Sequence, residues 1–93
     1  MSVAVHIIED DLAVRDALCE LLNTEDSEVL SYDSPEAFFA SSSPQPKDII
    51  VLDIHFPSES GVDMAMRLKR DHPNARIVVI SGIRAGLVCT TVL

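Results

Sequence analysis

The chain has 93 residues, enough for one domain with a single modest core, and 47% of them are hydrophobic. Seven basic residues stand against fifteen acidic ones, a formal charge of −8; ten of the acids lie between Glu9 and Glu36, where Arg15 is the only base. That balance argues against direct nucleic-acid binding, which requires phosphate neutralisation, and suits cation binding or a basic protein partner.

The N-terminus "MSVAVHIIEDD" carries no basic region and no long apolar run. It is read as neither a signal peptide nor a membrane span, and a reducing cytoplasm is the expected compartment. Cys19 and Cys89 show no disulfide spacing, and Cys19, inside a helical pattern, is expected as a small core residue.

Val3 to Ile8, "VAVHII", is short, β-branched and nearly all apolar, as a central parallel strand is. His6 within it is expected to be a packed core or edge histidine. From Leu12 the period changes: Val14, Ala17, Leu18, Leu21 and Leu22 are expected on one helical face, opposite Arg15, Asp16 and Glu20. Asp11 is placed to cap that helix. "SEVLSY" reads as a second strand. "SPEAFFA" opens a second helix with Ser34 as N-cap, Pro35 at the first helical position and Glu36 in the first turn.

Ser41 to Lys47, "SSSPQPK", is a loop by composition, and "DIIVLD" is the third strand. A third helix is expected from Ser60, with Asp63 completing a capping box and Val62, Ala65 and Met66 as its buried stripe; Arg67, Lys69 and Arg70 load its last turns, and "HPN" stops it. "ARIVVI" is the fourth strand. Strands alternating with helices of this length indicate an α/β fold, a flavodoxin-like doubly wound parallel sheet.

Polar residues gather after the strands: Glu9, Asp10 and Asp11 after the first, Asp53 after the third, Ser81 and Gly82 after the fourth. Ligands of open α/β sheets bind outside the carboxyl ends of the strands. If the first and third strands are neighbours, Glu9, Asp10 and Asp53 converge. Clustered carboxylates need a proton or a cation, and hard oxygen ligands suit Mg²⁺.

Here the sequence resembles a family. "VHIIEDDLAVRDALCELL", "VLDIHFPSESGVD" and "IVVISG" are similar to the CheY-like receiver domains of bacterial response regulators, most of all those attached to LuxR-type DNA-binding domains. The resemblance spans residues 3 to about 82 of one domain that covers 1–93, with 83–93 as a divergent or truncated tail. It implies two-component signal transduction, with Asp53 accepting a phosphoryl group from the phosphohistidine of a sensor histidine kinase. Glu9, Asp10 and Asp53 would hold Mg²⁺ with the backbone carbonyl of His55. Ser81 would be the switch hydroxyl, and Pro57 and Gly61 would shape the loop after the third strand. The domain would be a phosphoacceptor rather than an enzyme, at most catalysing its own phosphorylation and dephosphorylation.

The family's lysine after a fifth strand has no counterpart: Lys47 precedes the third strand, Lys69 lies in a helix, and Arg84 would reach the site only through an unusual tail. The chain is therefore expected either to be truncated after the fourth strand or to have an altered fourth helix and fifth strand. In the second case "LVCTTVL" forms the strand, and Leu93 stands about where the lysine belongs. In either case an apolar flank near the fourth strand would be uncovered, and a homodimer or element-swapped dimer is expected to cover it. The alternative function is a degenerate receiver that serves as an interaction module without phosphoryl transfer. A Mg²⁺-dependent phosphohydrolase is disfavoured, because His55 stands where such enzymes place a second acid.

Overall fold

The computed structural model describes residues 3–41, 44–54, 59–81 and 89–92. The elements in order are β1 (Val3–Ile8), α1 (Leu12–Leu22), β2 (Ser27–Tyr32), α2 (Pro35–Ser41), β3 (Ile49–Ile54), α3 (Glu59–Asp71), β4 (Arg76–Ser81) and β5 (Cys89–Val92). They form one sheet in the order β2-β1-β3-β4-β5. β1 to β4 are parallel, with β1 and β3 adjacent at the point where the strand order reverses. That is the flavodoxin-like arrangement.

Two cores follow from strand alternation. On one face Ile8, Ile50, Leu52 and Ile77 pack with Phe38 of α2 and with Ala65 and Leu68 of α3. On the other, Val5, Ile7 and Val51 pack with Leu18 of α1. Burying such side chains stabilises the fold by roughly 1.5–3 kcal/mol each. The guanidinium of Arg67 lies 4.0 Å from the centre of the Phe39 ring, which ties α3 to α2.

Local sequence sets the helix starts. Asp11 caps α1 by accepting the Val14 amide at 3.0 Å, and Ser34 caps α2 by accepting the Ala37 amide at 3.1 Å. α3 begins at Glu59, so Ser60 lies within the helix rather than capping it.

Ala17 and Leu21, expected on the buried face of α1, are exposed, Leu21 by 75%. α1 meets the sheet along the single row Val14, Leu18 and Leu22, and among the described residues no second helix lies beside it on that face. Met66 is likewise 64% exposed rather than buried; Ala65 and Leu68 enter the core, with Met64 packed against it. Cys19 is a free thiol packed at the edge of the α1-side core, as expected.

The tail forms a strand, but its direction is reversed. β5 pairs antiparallel with β4, Ser81 opposite Cys89 and Val78 opposite Val92. Only residues 82–88 connect the two strands. A parallel return needs a crossover of about a dozen residues or more, so the short connection dictates an antiparallel partner. Cys89, not Val92, thus adjoins the carboxyl rim of the sheet, and the strand leads away from the place where a lysine would be needed. Leu93 itself lies outside the described residues. Among the described residues, no helix is long and apolar enough to cross a membrane.

Candidate functional site

The β1–β3 register sets Ile8 opposite Leu52. The next residue of each strand is an acid, so Glu9 and Asp53 emerge side by side at the carboxyl rim. Both are buried, at 1% and 8% exposure. Alternation puts Asp53 in the row of Ile49 and Val51, which belongs to the α1-side core.

Neither carboxylate oxygen of Asp53 accepts a hydrogen bond among the described residues, although both are buried. Glu9 is held at three atoms. Its amide donates to the Tyr32 carbonyl at 3.0 Å, its Oε1 accepts the Asp11 amide at 2.8 Å, and its carbonyl accepts a guanidinium N–H of Arg15 at 2.9 Å. Burial, and then the neighbouring Asp53 carboxylate, raise the Glu9 carboxyl from 4.5 to about 8; the Asp11 amide offsets part of this, and Asp10 adds to it. At neutral pH without a cation, Glu9 therefore holds a proton beside Asp53.

Glu9 and Asp53 are thus brought together, as the convergence of strand ends requires. Asp10 is exposed, and among the described residues no three Asp, Glu, His or Cys side chains form a metal-holding group. The backbone of Ser81 ends β4 opposite Ile54, one position beyond the Asp53–Ile80 pair. Gly61 lies in the first turn of α3. His55 and Pro57 lie outside the described residues.

Two buried carboxyl groups side by side are costly unless a proton or a cation shares their charge. Mg²⁺ takes hard oxygen ligands, uses one or two carboxylates and keeps several waters. The pair Glu9–Asp53, with no nitrogen or sulfur donor in it, fits that ion.

Two residues at work in this fold were not singled out from sequence. Arg15 ties α1 to the Glu9 carbonyl. Asp48, at 5% exposure, accepts from the Gln45 amide at 2.8 Å, the Ala4 amide at 3.3 Å and His6 Nε2 at 3.0 Å. Tyr32 Oη lies 3.2 Å from His6 Nδ1. The signal for Asp48 was present: it precedes β3 by one residue, two positions before Ile50, the register partner of His6.

Comparison with known proteins gives a consistent picture. The family model described as response regulator receiver domain matches residues 5–88. Over 81 residues the chain is 32% identical to the transcriptional regulatory protein FixJ of Azorhizobium caulinodans, an alignment covering 87% of this chain and 38% of that protein. It is 31% identical over 78 residues to nodulation protein W of Bradyrhizobium diazoefficiens, covering 84% and 34%. The chain therefore spans well under half the length of these relatives. Among solved structures, the response regulator TrrA of Thermotoga maritima, in complex with Mg(2+)-BeF, superposes with a TM-score of 0.69 at 25% identity, covering 88% of this chain and 70% of that one. A LuxR family DNA-binding response regulator from Silicibacter pomeroyi gives 0.68 at 27% identity, covering 89% and 69%.

Proposed function

The chain belongs to the response regulator receiver domain family, and on that premise we propose that it accepts a phosphoryl group on the Asp53 carboxylate from the phosphohistidine of a sensor histidine kinase. The supporting observation is the pair of buried acids, Asp53 beside Glu9, at the carboxyl ends of two adjacent central strands. An Asp53 oxygen attacks phosphorus in line, the new O–P bond forms as the N–P bond to the donor imidazole breaks, and the departing nitrogen takes up a proton.

Glu9, Asp10 and Asp53 would hold Mg²⁺, with the carbonyl of His55. Bound there, the ion supplies positive charge opposite the oxygens of the transferring group. The protein contributes position: the β1–β3 ladder aims both acids at one point, and the Arg15 and Asp11 contacts fix the chain at Glu9. Ser81, at the end of the adjacent strand, is the hydroxyl proposed to meet the phosphoryl oxygens, and Pro57 and Gly61 frame the loop that follows Asp53. The modified aspartate then biases the neighbouring surface between two states. The proposed setting is the cytoplasm.

Incubation with acetyl phosphate and Mg²⁺ tests this reading. Intact-mass spectrometry should show one added phosphoryl group, absent in Asp53→Asn and absent when the ion is chelated. An unmodified wild-type chain overturns it.

The reversed β5 favours a second reading, a receiver that binds its partner without phosphoryl transfer, because that strand carries no lysine to the rim. Equal kinase binding by wild type and Asp53→Ala, together with no added mass, would select it.

A further inference from the structure

We propose that the free edge of β5 pairs antiparallel with β5 of a second copy, joining two sheets across a two-fold axis.

β5 ends the strand order, so beyond its pairing with β4 its other edge faces no strand among the described residues. Natural edge strands carry lysines, prolines, bulges or covers that prevent pairing with another chain. Cys89–Val92, "CTTV", contains no charge, no proline and no glycine. β2, the opposite edge, is protected in the usual way. Its sequence is "SEVLSY", with Glu28 exposed as its second residue and Asp26 and Asp33 exposed just beyond its two ends.

Charge selects the occupant. Residues 1–36 hold ten acids and one base, whereas residues 37–93 hold five acids and six bases. A chain of formal charge −8 repels its own copy wherever the acidic halves approach. Pairing through β5 brings together the nearly neutral halves. It leaves each β2 edge four strand spacings from β5, roughly 19 Å, about twice the screening length at physiological salt. A basic partner would instead be drawn to the acidic half, away from β5.

Polarity and packing agree with this choice. Like strands related by a two-fold axis run antiparallel, so β5 is its own complement. Next to it, Val78, Val79 and Ile80 of β4 are only half-buried. The inference is independent of phosphoryl transfer, and its test needs no phosphodonor.

Sedimentation equilibrium of the intact chain, from micromolar to submillimolar concentration, should approach twice the 10.2 kDa chain mass. Thr91→Lys should weaken the association about tenfold or more. Because that substitution also lowers the net charge, association governed by overall repulsion alone would strengthen. Hydrogen exchange of the wild-type chain, which requires no variant to fold, should show protection that rises with concentration at residues 89–92 and not at 27–32. A monomer throughout, an association unchanged or strengthened by Thr91→Lys, or concentration-dependent protection confined to another segment would overturn the proposal.

Discussion

His6 Nε2 and Asp48 Oδ2 meet at 3.0 Å inside the sheet, both residues almost wholly removed from solvent. Burial alone would raise the Asp48 carboxyl; the bonds from His6, Gln45 and Ala4 outweigh it and hold the group below its ordinary 3.8. The ionised Asp48 carboxylate accepts from Nε2, and the Tyr32 hydroxyl lies 3.2 Å from Nδ1 on the other side of the ring. Asp48→Ala should therefore destabilise the chain by about 3 kcal/mol in urea unfolding, since it strands three donors. Tyr32→Phe removes one bond and should cost about 1 kcal/mol.

The same pair sets an acid limit. A carboxyl depressed on folding contributes stability above 3.8 and loses it as pH falls through the lower folded value. In wild type the urea midpoint should drop steeply below pH 3.8, and in Asp48→Asn this step should be missing.

Glu9 acts in the opposite sense. Its carboxyl is raised from 4.5 to about 8, so the folded chain binds more protons than the unfolded one between these values. Stability in chelator should fall as pH rises through that window, by an amount on the order of a few kcal/mol. Mg²⁺ should reverse most of the fall and release a proton on binding. Glu9→Gln should flatten the profile and weaken the Mg²⁺ response about tenfold or more. Melting temperatures from pH 5 to 8, with and without the ion, check both statements. A profile that climbs across the window in chelator would contradict them.

α1 provides a packing contrast. Leu18 is 9% exposed and Leu21 75%. Leu18→Ala should cost about 2–4 kcal/mol and Leu21→Ala less than about 0.5. Equal losses would show that α1 is covered on its outer side in solution.

The cap of the same helix is separable from the acid pair. Asp11→Ala should destabilise by about 1 kcal/mol, and Asp11→Ser should restore most of it. Neither should remove phosphorylation at Asp53, because the Glu9 and Asp53 carboxylates remain.

Much of this was legible in the residues. β1 to β4 announce themselves through short β-branched runs, and Asp11, Ser34 and Pro35 through helix-start chemistry. The meeting of Glu9 with Asp53 follows once β1 and β3 are neighbours, since both acids directly follow the last paired core residues, Ile8 and Leu52. What failed to show had physical reasons. Helical period ranks Leu21 and Met66 as buried, but period cannot say how wide a strip of each helix the sheet covers. Composition identifies β5 as a strand, yet its direction depends on the length of the connection before it. The bond between His6 and Asp48 depends on register, which a single strand does not reveal.

Phe38 sits at the centre of a ring cluster that includes His6, Tyr32, Phe39 and His72. The chain has one tyrosine and no tryptophan. Excited at wavelengths that phenylalanine does not absorb, the chain emits through Tyr32 alone, whose hydroxyl lies 3.2 Å from His6 Nδ1 and whose ring packs edge-on against Phe38. The molecule thus carries its own optical probe at the junction of α2 with the sheet, and folding can be followed there without a label.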